Sequence, residues 1–264
     1  MADLQVFDFN EAAWGDTYDA PFCKVSGEFR AKRATLVDYS LWTIDASLAP
    51  GASVQWSGDH GDEIVMVLSG ALEVDGVQVP TLGSIVVEAG VDAAATATEP
   101  TEILHWGPTD PAAPAASLIG PPRQREEGER GVHLHGELGK AHREMTFMDE
   151  QLDNVLHADS TCPTCRPTLL RVIARGPMTF PSHLHSQDEV IYVRDGGFKV
   201  GPLTARPGML LAIPAGRRYG IRSDTNFEFL NYRRDISTIT MAPGSEPTLE
   251  VGEGRGYEPS PALV

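Results

Sequence analysis

Two histidines and a glutamate, His183, His185 and Glu189, form the group in this sequence best suited to chemistry. Side chains two residues apart on an extended strand point the same way, so both imidazoles face one side. Glu189, past a tight corner, can close on the same point. Two neutral ring nitrogens and a carboxylate oxygen form a facial divalent-metal site with open positions for a ligand. We therefore expect these three residues to bind a metal ion inside a barrel.

The composition favours an all-β fold. The chain has 264 residues, with 26 Gly and 20 Pro spread along it. This distribution suits many short strands joined by turns better than a helical bundle. Short segments rich in β-branched and apolar residues fall into two blocks, from about Val25 to Trp106 and from about Thr168 to Ile239.

The segment between the two blocks has a different pattern. A Pro- and Ala-rich linker, Pro108 to Pro122, is followed by a charged run. Apolar residues then recur at three- and four-residue steps between Lys140 and Leu156, which predicts one amphipathic α-helix. The predicted organisation is an N-terminal barrel, a linker with the helix, a C-terminal barrel and an irregular tail, over residues 1–110, 111–160, 161–245 and 246–264.

Charge restricts the class of partner. The net charge is −16, from 21 basic and 37 acidic residues, which argues against nucleic-acid and anionic-membrane partners. No apolar run reaches the roughly 18 residues of a membrane span. The N-terminus lacks a basic segment followed by an apolar one. These features predict a cytoplasmic protein with a small-molecule substrate, and they leave homodimer formation open.

The two strand blocks form a degenerate repeat. Glu63 to Gly70 matches Glu189 to Gly196, and Gly83 to Val87 matches Gly208 to Ala212. A spacing of about 126 residues serves both pairs within one residue. Because each block is rich in turns, we expect two small antiparallel barrels or double-sheet rolls.

The residues around the histidines resemble the first motif of the cupin superfamily. Gly176 precedes His183 by six intervening residues, one more than the usual five, and Gly196 follows Glu189 at the expected distance. The resemblance implies a bicupin, with two cupin-type double-stranded β-helix (jelly-roll) barrels. Cupins include dioxygenases, decarboxylases, isomerases, lyases, cyclases and binding proteins, so membership does not choose the reaction.

The second cupin motif departs from the family pattern where a fourth ligand is expected. Gly208, Pro214 and Gly216 match it, but Tyr219 stands in place of the metal-binding histidine, and Ser223 in place of the asparagine. Tyr219 could ligate as a phenolate, act as an acid or base, or pack its ring against neighbours.

The first barrel has lost most of the corresponding motif. Glu63 remains, and His60 lies one residue out of register. His105 lies on a late strand and could point inward. The other equivalent positions hold Ser57, Asp59 and Ala93 or Ala94. A structural or dimer-forming role is expected for this barrel.

Substrate contacts are expected from strands near the metal motif. Arg171 and Arg175 lie on the strand that enters it, and an inward arginine could bind a carboxylate or polarise a carbonyl. The alternative is that one or both face solvent. Asn231 and Tyr232 lie on the last strand with opposite facing, so one should face the pocket. We assign catalytic roles to Tyr219 and Arg171, and substrate contacts to Arg175, Asn231 and Tyr232.

Two smaller motifs remain open. Cys162 and Cys165, preceded by His157, could belong to a structural zinc site, form a disulfide or redox pair, or be plain thiols. Cys23 or His142 could supply a fourth zinc ligand. A second His-x-His, His133 to His135, predicts a packing or surface role, or a position at the entrance of a neighbouring barrel.

Three functions follow from the predicted site. The first is a non-haem dioxygenase, an oxidoreductase with one divalent metal ion, Fe(II) favoured, although Mn, Ni, Co or Zn suit the same ligands. The second is a non-redox lyase, isomerase or cyclase in which Tyr219 moves a proton. The third is a non-catalytic binding protein.

Overall fold

The protein is built from β-strands. The structure, a computed structural model, describes residues 3–112, 128–136, 152–157, 164–235, 237–241, 249–250, 258–259 and 262–263. These residues form 24 strands and no helix. The strands from the N-terminus to the linker are β1 (Gln5–Asp8), β2 (Cys23–Ser26), β3 (Phe29–Arg33), β4 (Leu41–Leu48), β5 (Ser53–Trp56), β6 (Glu63–Ser69), β7 (Ala71–Val74), β8 (Val77–Pro80), β9 (Ser84–Val87), β10 (Ala93–Ala97), β11 (Thr101–Pro108) and β12 (Val132–His135).

The remaining strands belong to the C-terminal half. They are β13 (Leu152–Leu156), β14 (Thr168–Ala174), β15 (Met178–His185), β16 (Glu189–Gly196), β17 (Phe198–Val200), β18 (Leu203–Ala205), β19 (Met209–Ile213), β20 (Tyr219–Ser223), β21 (Phe227–Arg233), β22 (Thr238–Met241), β23 (Leu249–Glu250) and β24 (Glu258–Pro259).

Four sheets form two double-sheet barrels. The N-terminal barrel has a six-stranded sheet, β12-β9-β6-β11-β4-β3, and a five-stranded sheet, β2-β5-β10-β7-β8. The C-terminal barrel has a seven-stranded sheet, β1-β19-β16-β21-β14-β13-β24, and a six-stranded sheet, β18-β17-β20-β15-β22-β23. Each barrel encloses its own apolar core. The prediction of an all-β fold is therefore confirmed for the described residues.

The two barrels share a third apolar core between their larger sheets. Strands buried on both faces place alternate residues in the barrel and in this interface. Trp106 of β11 and Tyr232 of β21 stack there, with ring centroids 5.9 Å apart and planes 14° apart. The fully buried aliphatic residues of this inter-barrel core are Ile64, Met66, Val86, Leu104, Leu169, Val190, Leu210, Ala212 and Leu230.

Each barrel also receives a strand from outside its own sequence block. The N-terminal strand β1 pairs antiparallel with β19 of the C-terminal barrel, with Gln5 opposite Ala212. The linker strand β12 pairs with β9 of the N-terminal barrel, with Val132 opposite Val87. Both additions cover sheet edges that would otherwise expose unpaired backbone groups.

The predicted α-helix over Lys140 to Leu156 is wrong at its C-terminal end. Leu152–Leu156 is strand β13, which pairs antiparallel with β14 and parallel with β24. A pattern as short as Leu152–Leu156 is compatible with a helix or a strand. Pairing with the edge of β14 satisfies the backbone groups of these five residues within a sheet. Residues 140–151 of that prediction lie outside the described residues. Within the described ranges, no helix of membrane-spanning length and apolarity occurs.

His157 anchors the end of β13 in a buried position. Its backbone N–H donates to Leu169 O at 2.8 Å, and its Nδ1 lies 3.2 Å from Ser84 Oγ. The side chain is fully buried. Burial, together with the nearby His135 and Arg171, lowers the pKa of His157 to about 3.

This histidine should make stability depend on pH. A base with a lowered folded-state pKa binds more protons when unfolded, so its contribution is complete above about pH 6.5 and is lost as the pH falls towards 3. Between about pH 7.5 and 5 the wild type should lose about 2 kcal/mol from this group. In urea denaturation, the free energy of unfolding of His157→Gln should fall by correspondingly less over that pH range. Ser84→Ala keeps the imidazole, so it should retain the wild-type pH dependence; equal slopes for wild type and His157→Gln would contradict the assignment.

Candidate functional site in the C-terminal barrel

The three predicted metal ligands lie together inside the C-terminal barrel. His183 and His185 are on β15, and Glu189 begins β16. All three side chains are buried, and the two imidazole centroids are 5.1 Å apart. His185 Nε2 lies 3.8 Å from Glu189 Oε2. The corner between the strands is fixed by Asp188, whose Oδ1 accepts a hydrogen bond from Ala215 N at 2.8 Å.

An arginine that the sequence reasoning missed lies between two of these residues. Arg233 is directly opposite Glu189 across β16 and β21. Its Nη2 donates to Glu189 Oε2 at 2.5 Å and lies 3.0 Å from His185 Nε2. The residue is 2% exposed. A permanent cation therefore contacts the atoms that a metal ion would join.

Asn231 completes the contacts to the same carboxylate oxygen. It is two residues before Arg233 on β21, so both side chains enter the barrel. Asn231 Nδ2 donates to Glu189 Oε2 at 2.8 Å. Of Asn231 and Tyr232, between which the sequence could not decide, Asn231 is therefore the residue that faces the pocket. Arg233, two residues after Asn231, lies on the same face of the strand, and the alternation of side chains could have indicated it.

Several buried polar atoms in this cluster have no hydrogen-bond partner. They are Arg233 Nε and Nη1, Glu189 Oε1 and Asn231 Oδ1. A buried donor or acceptor left unpaired costs about 1–3 kcal/mol, and more when the group is charged. The cluster presents both unpaired donors and unpaired acceptors, so it is prepared to receive a polar or charged ligand.

The imidazoles are neutral in this environment. Burial lowers the pKa of His183, and burial together with Arg233 lowers the pKa of His185 well below 6.5. Since Arg233 Nη2 can only donate, His185 Nε2 is the acceptor of that contact. A neutral ring with an available nitrogen lone pair is the form that binds metal.

Tyr219 packs beside the histidines as a neutral phenol. It lies opposite His183 across β15 and β20, with ring centroids 4.4 Å apart. Burial, and then the Glu189 carboxylate, raise the pKa of Tyr219 well above its usual value of 10. In the metal-free protein Tyr219 therefore keeps its phenol proton, and the three roles considered for this residue stay predictions.

The donor set suits a divalent ion by its chemistry, but two obstacles stand in the way. His183 and His185 are neutral, and Glu189 Oε1 has no partner. Among the described residues, however, His183, His185 and Glu189 are not one of the groups whose ligand atoms all lie within 4.8 Å of one another. Arg233 Nη2 also contacts both His185 Nε2 and Glu189 Oε2, where metal–ligand bonds of about 2.0–2.2 Å would place the ion against this guanidinium. The residues can therefore hold a metal ion only if Arg233 withdraws and the three ligand side chains move closer together.

Three of the predicted site residues lie away from this cluster. Arg171 lies on the face of β14 opposite the barrel interior, where its Nε donates to Glu228 Oε1 at 2.7 Å. Leu170 and Val172 point into the barrel instead. Arg175 is exposed beyond the end of β14. Tyr232 lies in the inter-barrel core. The structure therefore does not bring Arg171, Arg175 or Tyr232 to the site. Strand parity directs the neighbours of Arg171 and Tyr232 inward, and Arg175 lies beyond the end of its strand.

The N-terminal barrel holds a different polar cluster around Glu63. Its Oε2 accepts hydrogen bonds from Cys23 Sγ at 3.1 Å, Trp56 Nε1 at 2.8 Å and His105 Nε2 at 2.9 Å. Tyr18 OH lies 2.8 Å from His105 Nδ1. Of the positions left open for His105, the inward one is observed. Burial and Glu63 raise the pKa of the Cys23 thiol. Cys23, Glu63 and His105 bring three metal-binding atoms within 4.8 Å of one another.

One pair of equivalent positions, beside Glu63 in one barrel and Glu189 in the other, holds different residues. Trp42 lies opposite Gly107 in the N-terminal barrel, and Thr168 lies opposite Arg233 in the C-terminal one. A Cβ at Gly107 would lie 2.5 Å from Trp42 Cζ2 and 2.9 Å from Glu63 Cγ. The indole therefore fills the space that the guanidinium takes in the other barrel.

A second group outside the C-terminal site involves the linker. His133 Nε2 lies 2.9 Å from Glu88 Oε2, and these residues with Cys165 bring three ligand atoms within 4.8 Å of one another. Cys165 is disulfide-bonded, and Cys23 is a free cysteine. Among the alternatives for the cysteine motif, the disulfide is the one observed at Cys165. Cys162 and His142 lie outside the described residues.

Comparison with solved structures shows the same fold in oxalate decarboxylases. A formate complex of the Lactobacillus farciminis enzyme has a TM-score of 0.63 and 14% identity, covering 91% of this chain and 89% of that one. A mutant of the Bacillus subtilis enzyme has a TM-score of 0.60 and 14% identity, covering 89% and 78%. No protein-family model and no curated protein sequence matches the chain. At this identity the likeness establishes the fold alone.

The close approach at Gly107 gives a test of the packing difference between the barrels. Gly107→Ala should destabilise the protein by about 1–3 kcal/mol, because the added methyl group would overlap Trp42 and Glu63 in a filled core. Urea denaturation measures the change. Gly131→Ala is the matched control, since a Cβ there meets no atom within 4 Å. A loss no larger at Gly107 than at Gly131 would contradict the filled-core description.

Proposed function

We propose that this protein is a metal-dependent enzyme that acts on a small carboxylate in its C-terminal barrel by non-redox, lyase-type chemistry. The observation that carries the proposal is the set of buried polar atoms without partners on Arg233, Glu189 and Asn231, beside two neutral histidines. Such a set is costly to maintain unless a ligand completes it. The oxalate decarboxylases with the same fold act on a small carboxylate, which supports this choice of substrate class.

The residues divide into binding and proton-transfer roles. His183, His185 and Glu189 would hold the divalent ion, which supplies Lewis-acid polarisation of the substrate when bound. Arg233 keeps two buried nitrogens without partners, Nε and Nη1, from which it can donate charge-assisted hydrogen bonds to a substrate carboxylate. Asn231 fixes Glu189 through its Nδ2 hydrogen bond. Tyr219, held as a neutral phenol, supplies the proton that the reacting carbon takes up.

A dioxygenase with Fe(II) is the second candidate, and the two-histidine, one-carboxylate set favours it. The two candidates differ in their need for dioxygen. Turnover with Mn(II) or Zn(II) under strict exclusion of oxygen supports the lyase. Turnover that requires both Fe(II) and oxygen would overturn it in favour of the oxygenase.

Single substitutions test the assigned roles. Wild type and variants are loaded with Mn(II) and assayed against a panel of small carboxylates by proton NMR. His185→Ala should lose metal-stimulated turnover because it removes a ligand. Tyr219→Phe should bind metal as the wild type does and turn over roughly 10²- to 10⁴-fold more slowly, since it removes only the phenol proton.

An exposed residue outside the cluster supplies the control variant. Arg175→Ala changes an exposed residue outside the cluster and should leave turnover unchanged. If Tyr219→Phe turned over at the wild-type rate, the proton-donor role would be lost. If His185→Ala kept full metal-stimulated turnover, the whole assignment of the C-terminal site would be wrong.

A further inference from the structure

We infer that Arg233 couples metal binding to carboxylate binding: its guanidinium neutralises Glu189 in the free protein and moves to the carboxylate when the metal ion enters. This inference rests on the proposed function, because it concerns the same three ligands. It predicts that neither ligand binds tightly alone and that each raises the affinity for the other.

The first step of the argument is competition for one place. Arg233 Nη2 is 2.5 Å from Glu189 Oε2 and 3.0 Å from His185 Nε2. A divalent ion bonded to those two atoms would require the same volume. The metal ion and this position of the guanidinium therefore exclude each other.

The second step concerns charge. In the free protein the guanidinium and the Glu189 carboxylate neutralise each other, and both side chains are almost completely buried, 3% and 1% exposed. A divalent ion that took over Glu189 would leave a buried arginine cation without its counter-ion, close to two further positive charges. Such an arrangement is strongly unfavourable in a low-dielectric interior. A carboxylate beside Arg233 restores the missing negative charge.

The third step is that Arg233 already has hydrogen-bonding capacity for the incoming anion. Its Nε and Nη1 have no partner, although the residue is 2% exposed. A carboxylate that accepts from the guanidinium replaces the hydrogen bond lost at Glu189 with charge-assisted ones. Because coupling is reciprocal, the carboxylate should tighten metal binding by the same factor by which the metal tightens carboxylate binding.

The test is a Co(II) titration of the full chain, followed by absorption and calorimetry, with and without acetate at constant ionic strength. Acetamide, which has no charge, replaces acetate as the ligand control. Acetate should raise the Co(II) affinity of the wild type within the roughly 5- to 150-fold range usual for such coupling. Binding that persists in His185→Ala is assigned to other groups, such as the Cys23 cluster, and is subtracted.

Substitution of the arginine should remove the coupling. Arg233→Met should bind Co(II) at least about tenfold more tightly than the wild type without acetate, and acetate should no longer change its affinity. Arg233→Gln gives a second, polar variant if Arg233→Met folds poorly. Arg194→Met is the matched control, because Arg194 pairs with Glu228 on the outer face of the same barrel; it should keep the acetate effect.

The outcomes separate this inference from the proposed function. If the wild type binds Co(II) tightly without acetate and both Arg233 variants bind it equally well, the coupling is overturned while the metal site stands. If folded Arg233 variants bind no Co(II) at the His185-dependent site, the metal site and the proposed function fail together. An acetate effect retained in Arg233→Met also overturns the coupling.

Discussion

The packing of the two large sheets against each other constrains the rest of this molecule. Residues of β16 and β21 alternate between the barrel interior and the inter-barrel core, so burial of one set fixes the other. Val190, Leu230 and Tyr232 belong to the inter-barrel core, and this turns Glu189, Asn231 and Arg233 inward. A register shift of one residue would exchange the polar cluster for apolar residues. The chemistry of the C-terminal barrel therefore depends on an apolar interface on the other side of the same sheet.

The two repeats show how one architecture holds a carboxylate in two ways. Glu63 accepts hydrogen bonds from Cys23, Trp56 and His105, and aromatic rings pack around them. Glu189 is held by Asn231 and a cation instead, and unpaired atoms remain. The satisfied cluster needs nothing more, whereas the unsatisfied one has capacity for a ligand. This contrast is the reason for proposing the ligand site in the C-terminal barrel.

Sequence reasoning was most successful where a short pattern corresponds to a local geometry. The alternation of His183 and His185 predicted their common facing, and the short segments bounded by Gly and Pro predicted an all-β fold. It was least successful where distant pairing decides the outcome. The strand at Leu152–Leu156 forms because the edge of β14 is available, which local periodicity cannot show. Arg171 was given a catalytic role without knowledge of the strand parity, which packing fixes. Arg233 was missed because its position opposite Glu189 follows from register and from no motif.

The pairing of β1 with β19 joins the N-terminal strand to a strand of the C-terminal barrel. Gln5 is synthesised roughly 200 residues before its partner Ala212, so this contact closes a very long loop and forms late. Until then the edge of β19 is exposed to pairing with other chains. In the finished sheet β19 lies between β1 and β16, the strand that begins with Glu189. A fusion tag or a shortened N-terminus would therefore first disturb the C-terminal barrel, at the strand next to the one that carries Glu189.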